Sequence, residues 1–174
     1  MDDLKRFSNV SKAKHMLFLV DACYGGLAAV GSRGLEPAKT PNYIEKITKM
    51  KSRQIITAGG KDEEVFEKSE WGHSAYTKNL LSALEDGLAD SNGDGYITAD
   101  ELGDYLSEKV SIDSENQQTP QSRRLTSHEG EFIFFNSSNN DFDVLLFTIF
   151  TFILFPININ SPSCEVNLRD CGVC

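Results

Sequence analysis

The sequence has little positive charge. Lys and Arg number 17 against 26 Asp and Glu, which gives a formal net charge of −9 over 174 residues. A protein that binds nucleic acid needs basic side chains to neutralise phosphates, and no basic stripe is present. The composition therefore argues against a nucleic acid partner. It favours basic peptides or cations as partners.

Cysteine is also scarce, since the chain has four. Cys23 stands alone, and Cys164, Cys171 and Cys174 fall in the last eleven residues. This is not the dense spacing of a secreted disulfide scaffold, and three thiols are too few for a closed zinc site. The first residues, Met-Asp-Asp-Leu-Lys-Arg, contain no apolar signal segment. We expect a reducing, cytoplasmic compartment.

Long hydrophobic runs are missing as well. The longest, residues 144–155, is twelve residues interrupted by two threonines, whereas a membrane-spanning helix needs about 20. It could be buried or interfacial, a short anchor, or sequence outside the mature coding frame, and we favour a poorly specified tail. We predict a folded domain at 1–136 and a polar linker with an apolar tail at 137–174. A membrane is not an expected partner, although contact with a membrane through the stretch 144–157 stays an alternative.

An apolar run that ends in reactive residues organises the rest of the chain. Residues 17–20 are Leu-Phe-Leu-Val, and Asp-Ala-Cys-Tyr-Gly-Gly follows. Such a run is typical of a strand buried on both faces of a parallel sheet, and ligands gather at the carboxyl ends of such strands. Gly25 and Gly26 allow a sharp turn and leave backbone amides free to face an oxyanion. Cys23 is therefore placed as a nucleophile would be, or it is a small buried hydrophobe.

The remaining pattern predicts an α/β fold. A helix at 42–51 and a strand at 53–58 follow the first strand, which implies a parallel crossover. Ser74 is a predicted N-cap, and a helix at 99–110 and a last strand at 131–135 come later. Residues 1–14 and 111–130 are predicted to be a polar lead-in and a loop. One face of the helix after Ser74 is apolar: Tyr76, Leu80, Ala83, Leu84 and Leu88.

Residues 90–101, Asp-Ser-Asn-Gly-Asp-Gly-Tyr-Ile-Thr-Ala-Asp-Glu, fit the EF-hand calcium loop. Gly95 supplies the sharp turn and Ile97 the hydrophobic anchor. The alternative is an acidic turn that binds no metal. One such loop is visible, and without a partner loop to rigidify it we expect calcium affinity of roughly micromolar to millimolar order. The predicted calcium ligands are Asp90, Asn92, Asp94, the Tyr96 carbonyl, Thr98 through water, and Glu101.

The ten residues 17–26 resemble the nucleophile segment of caspase-like cysteine peptidases, especially metacaspases and their bacterial relatives, which carry Asp-x-Cys-x-Gly after a hydrophobic strand. The resemblance covers roughly residues 15–136. It implies a three-layer sandwich with a mainly parallel sheet, in which Cys23 is the nucleophile and amides near Gly25 and Gly26 stabilise the oxyanion. His73 and Ser74 would line the substrate cleft.

The same resemblance places Asp21 in an acidic pocket that takes Arg or Lys before the scissile bond. The alternative is that Asp21 bonds backbone amides at the strand end. A catalytic histidine is expected about 50 residues before the cysteine, but 22 residues precede Cys23. His15 would lie roughly 26 Å away at ~3.3 Å per residue, and His73 is not expected to replace the missing base.

Two functions follow from these patterns. The first is a cysteine endopeptidase that acts on a peptide or protein substrate at basic residues. It would be incomplete at its amino end and of low activity. The second is an EF-hand-type calcium-binding module without peptidase activity.

Overall fold

A computed structural model of the chain describes residues 2–23, 42–60 and 63–135. These residues form a mixed α/β structure, which confirms the predicted class. The predicted tail at 137–174 lies outside them. The four helices of the described residues are α1 (Asp2–Val10), α2 (Tyr43–Lys49), α3 (Ala75–Glu85) and α4 (Ala99–Asp113). Their five strands are β1 (His15–Cys23), β2 (Ser52–Gly59), β3 (Tyr96–Thr98), β4 (Gln121–Arg124) and β5 (Ile133–Phe135).

The larger sheet has the order β1-β2-β4. β1 and β2 run parallel, with Phe18 opposite Ile55, so the predicted parallel crossover is confirmed. β4 pairs antiparallel with β2. The prediction of a loop over 111–130 is therefore wrong at 121–124, and also at 111–113, where α4 continues to Asp113. β4 has the sequence Gln-Ser-Arg-Arg, which has no strand pattern. It becomes a strand because its backbone groups hydrogen-bond those along the open edge of β2.

The centre of this sheet is β2, which is buried at all eight positions. By contrast, Leu17 to Val20 of β1 are only half-buried. The prediction that this run is buried on both faces is wrong. The reason is the order of the strands, because within the described residues β1 has a neighbour on one side and β2 has neighbours on both.

Helices pack on both faces of the larger sheet. On one face, Ile56 and Ala58 of β2 join a buried apolar cluster with α3 and α4. On the other, Phe7 of α1 meets Phe18 edge-on, with 6.4 Å between ring centroids. α1 occupies residues for which a polar lead-in is predicted, so that prediction is wrong. The buried Arg53 fixes this helix, since its Nε donates to the Ser8 carbonyl at 2.8 Å.

α3 and α4 form as predicted apart from their ends. The predicted apolar positions Tyr76, Leu80, Ala83 and Leu84 are buried. Leu88 is 56% exposed, so its assignment to the buried face is wrong. The helix ends at Glu85, and Gly87 has the positive φ of 68° that commonly follows a helix end.

A second, two-stranded sheet pairs β3 with β5 antiparallel, with Ile97 opposite Phe134. The strand predicted at 131–135 is thus confirmed at Ile133–Phe135. Its partner is the strand that belongs to the acidic loop. Over the described ranges, no helix combines the length and the apolar character needed to cross a membrane.

Candidate active site and calcium loop

The carboxyl end of β1 carries the first candidate site. Cys23 is the last residue of the strand, and its backbone lies opposite Gly59 of β2. The register shifts between Val20, which is opposite Thr57, and Cys23, so β1 contains one extra residue there. Such bulges re-aim side chains and occur often beside functional sites. The Cys23 side chain and all of Gly25 and Gly26 fall outside the part of the chain that is described.

Asp21 is held by the first turn of α3. Its Oδ2 accepts hydrogen bonds from Ser74 Oγ at 2.6 Å and from Thr77 Oγ1 at 2.7 Å. Ser74 is also the N-cap of α3, as predicted, because its Oγ accepts from the Thr77 backbone N–H at 3.0 Å. Two predicted substrate-binding residues, Asp21 and Ser74, are therefore in contact. Thr77 was not predicted, although a hydroxyl three residues after an N-cap lies on the same side of the helix.

The other carboxylate oxygen of Asp21 differs in its surroundings. Oδ1 is buried and has no hydrogen-bond partner among the described residues. Tyr76, two residues after Ser74, is fully buried, and its hydroxyl donates to the Ile56 carbonyl at 3.1 Å. Burial, and then the negative charge of Asp21, raise the pKa of Tyr76, so the phenol stays neutral.

The three histidines occupy different places in the fold. His15 begins β1, at the opposite end of the strand from Cys23, and its Nε2 bonds the Met50 carbonyl at 2.9 Å. His128 is exposed and its Nδ1 bonds Thr126 Oγ1 at 2.6 Å. His73 is exposed and directly precedes Ser74. The structure thus agrees with the exclusion of His15 as a base for Cys23.

The segment after β2 is fixed beside this edge by buried polar contacts. Gln118 Nε2 donates to the Ala58 carbonyl at 2.8 Å, and its Oε1 accepts from the Phe66 backbone N–H at 2.7 Å. Glu63 Oε2 accepts from the backbone N–H groups of Gly60 and Thr119. Neither role was predicted. The sequence shows a glutamine-rich run at 117–121 at this point.

The second candidate site is the loop at 90–101. Both oxygens of Asp90 accept backbone N–H groups from the turn, including Gly93 at 2.8 Å and Gly95 at 3.0 Å. Asn92 and Asp94 accept N–H groups in the same way. Gly95 has the positive φ of 84° that the sharp turn requires. Ile97 is fully buried, so its predicted anchoring role is confirmed.

Glu101 closes the loop. Its Oε1 accepts from Ser91 Oγ and Asn92 Nδ2, both at 2.9 Å, and its Oε2 accepts from the Thr98 backbone N–H at 3.0 Å. The Thr98 contact completes a capping box at the start of α4. Over the residues described, no group of three or more His, Cys, Asp or Glu side chains is arranged to hold a metal ion. The donor set nevertheless fits Ca²⁺, because every candidate ligand is an oxygen. Glu101 would have to exchange its present hydrogen bonds for the ion.

The 90–101 loop has a pairing strand that the sequence did not indicate. β3, which contains Tyr96 and Thr98, is paired along its length with β5. The rings of Tyr96 and Phe135 pack at 5.4 Å between centroids. β5 therefore supplies the neighbouring strand that a second loop was expected to provide.

Comparison with known proteins gives no match. No family model matches the chain, and no curated protein or solved structure is significantly similar to it. The functional argument consequently depends on the residues and geometry described above.

Proposed function

We propose that the chain carries the nucleophile region of a caspase-like cysteine endopeptidase of three-layer α/β architecture. The observation that supports it best is the end of β1, where Cys23 follows Asp21 on the strand that pairs in parallel with β2. Asp21 is fixed through Oδ2 by two hydroxyls of α3, while Oδ1 is unmatched. The proposed nucleophile Cys23 and the proposed specificity residue Asp21 then lie at the carboxyl end of β1, the edge of a parallel sheet at which ligands commonly bind.

The reaction follows from the chemistry of a thiol. In a complete enzyme of this kind a histidine takes the proton of Cys23, and the thiolate adds to the carbonyl carbon of a peptide bond. We do not expect His15, His73 or His128 to supply that base, so the chain as given should have low activity. Backbone amides near Gly25 and Gly26 stabilise the oxyanion. The C–N bond breaks, the proton passes to the leaving amine, and a thioester remains. Water then hydrolyses the thioester to a carboxylic acid and regenerates the thiol.

Asp21 gives the proposed enzyme its preference for Arg or Lys before the scissile bond. Ser74 and Thr77 hold Oδ2, so Oδ1 keeps a fixed position for a guanidinium or ammonium group. Such charge-assisted hydrogen bonds are stronger than neutral ones. A substrate with aspartate before the scissile bond would be repelled, because its carboxylate would face the carboxylate of Asp21.

Covalent labelling tests the nucleophile. A short peptide that ends in an arginyl electrophile is added to the whole chain, and the adduct is located by peptide mapping. We expect the adduct on Cys23, with Cys164, Cys171 and Cys174 modified far more slowly. Cys23→Ser is the control and should lose the fast adduct. Labelling of all four cysteines at similar rates would contradict the proposal.

Calcium binding is a second candidate, favoured by the hydrogen-bonded loop geometry and the β3–β5 pairing. Asp90, Asn92, Asp94, the Tyr96 carbonyl and Glu101 would coordinate the ion, with Thr98 acting through water. Calorimetry should give a dissociation constant of roughly micromolar to millimolar order.

Glu101→Gln removes a charged ligand and should weaken calcium affinity about tenfold or more. The matched control is Glu85→Gln, an exposed acid at the end of α3 outside the loop. No measurable heat of calcium binding, or the same heat and affinity in Glu101→Gln as in the unmodified chain, would refute this candidate. Calcium binding together with an unreactive Cys23 would favour a calcium module without peptidase activity.

A further inference from the structure

The end of β1 is irregular at the residue that carries the proposed specificity. Val20 lies opposite Thr57, but two residues, Asp21 and Ala22, then face the single residue Ala58 of β2. At such a bulge the backbone departs from the regular ladder, and its course is set by the contacts that hold it. The direction of Asp21 therefore depends on what fixes this bulge.

The hydroxyl of Tyr76 lies at the seam of the two strands, directly before the bulge. It donates to the Ile56 carbonyl of β2 at 3.1 Å and lies within hydrogen-bond reach of the Val20 backbone of β1. Tyr76 is 1% exposed, so these contacts are closed to water. One hydroxyl therefore joins β1 to β2 at the residue that precedes Asp21.

The same turn of α3 holds the side chain of Asp21. Ser74 and Thr77, on either side of Tyr76 in the sequence, donate to Asp21 Oδ2 at 2.6 and 2.7 Å. This turn therefore contacts the end of β1 at two points, the carboxylate of Asp21 and the backbone before it. Two points of contact fix a direction, whereas the carboxylate contacts alone leave the backbone free to turn about them.

We propose that Tyr76 is a positioning residue. Its hydroxyl fixes the bulge of β1 and, through the backbone, the direction in which Asp21 presents its carboxylate to an arginine or lysine of the substrate. This role rests on the proposed peptidase function and deepens it, since it adds a residue that determines specificity without touching the substrate. Tyrosine suits the role because its ring fills the core while its hydroxyl bonds the backbone. Tyr76→Phe keeps the ring and removes only that hydroxyl.

Hydrogen exchange followed by mass spectrometry tests the backbone contact on the whole chain, without any peptidase chemistry. We expect Tyr76→Phe to speed amide exchange over residues 20–23 about threefold to tenfold, the effect of losing one neutral hydrogen bond, with little change at 133–135 in the second sheet. Tyr105→Phe, which removes a hydroxyl from α4, is the matched control and should leave residues 20–23 unchanged. Unchanged exchange at 20–23 in Tyr76→Phe overturns the proposal.

Two electrophilic peptides that differ only in a final Arg or Gln test the consequence for specificity. We expect Tyr76→Phe to lower the ratio of their rates at Cys23 about threefold to tenfold. Leu84→Ala, which removes core volume at the far end of α3, lowers stability but should keep the ratio. An equal fall of the ratio in Leu84→Ala would show that Tyr76→Phe acts only through stability, and it overturns the proposal.

Failure of the peptidase function itself has a different outcome. If the unmodified chain labels all four cysteines at similar rates, that function fails and the role of Tyr76 falls with it, even when exchange at 20–23 is faster in Tyr76→Phe. Selective labelling of Cys23 with the same ratio in Tyr76→Phe as in the unmodified chain overturns the role of Tyr76 alone.

Discussion

Glu131 is a carboxylic acid side chain that becomes buried when the chain folds. Burial, and then a hydrogen bond with Asp100 and the charge of Asp100, raise the pKa of Glu131 from 4.5 to about 9. Arg124 acts in the opposite direction but does not offset the burial. The folded chain therefore holds a proton on Glu131 at neutral pH. Two carboxylates can share a hydrogen bond only when one of them is protonated.

This proton makes stability depend on pH. Between about 4.5 and about 9 the folded chain binds one more proton than the unfolded chain, so this group lowers the free energy of unfolding as pH rises through that window. The slope from one such group is at most about 1.4 kcal/mol per pH unit. Glu131→Gln removes the titration and keeps an acceptor for Arg124.

Urea unfolding of both chains at about pH 5 and about pH 8 measures this difference. We expect the unmodified chain to lose stability relative to Glu131→Gln as pH rises. Parallel loss in the two chains would show that Glu131 titrates alike in the folded and unfolded states.

Single residues of the first site could be predicted only in part. The sequence identified Asp21 and Ser74, because an acid before Cys23 and an N-cap serine both have recognisable local patterns. It did not identify Thr77 as a donor to Asp21 or Gln118 as a link to Ala58. Buried polar residues depend on partners far along the chain, and a single sequence contains no local signal for such partners.

The packing of α4 against β4 depends on one glycine. A Cβ atom at Gly103 would lie 2.7 Å from the Cβ of Ser122, which is closer than real contacts allow. Gly103 is buried, and β4 lies across the helix at this point. Glycine therefore permits a close approach here, although it is a poor residue for the middle of a helix.

Gly103→Ala should therefore destabilise the fold by roughly 1–3 kcal/mol, despite the better helix propensity of alanine. Adding Ser122→Gly removes the clashing atoms and should restore part of the loss, which a double-mutant cycle measures. Ser107→Ala, on the same helix, is the control and should change stability little. Stabilisation by Gly103→Ala alone would contradict the close packing.

Elements were predictable where a local pattern matches the period of the structure. The α3 and α4 faces and the β2 run have such patterns, and they form as predicted. β4 has no such pattern because its polar residues become a strand only by pairing with β2. α1 is likewise fixed from a distance, through Phe18 and the buried Arg53.

On the scale of the whole molecule, one helix connects the two candidate sites. The first turn of α3 holds Asp21, and the chain enters the 90–101 loop soon after the helix ends at Glu85. α4 leaves that loop and returns along α3, where Asp113 accepts from Lys78 and Asn79, both at 2.8 Å. The proposed peptidase edge and the proposed calcium loop therefore share a single helix pair.

The central claim is that Cys23 reacts with peptides selected by Asp21. Two electrophilic peptides that differ only in a final Arg or Asp are compared by their rates of adduct formation on Cys23. We expect the arginyl reagent to react about tenfold faster or more, as for a charge-assisted hydrogen bond. Asp21→Asn should remove most of that preference, and Asp86→Asn, an exposed acid beyond α3, should leave it intact. Equal rates for the two reagents, or an unchanged preference in Asp21→Asn, would contradict the account.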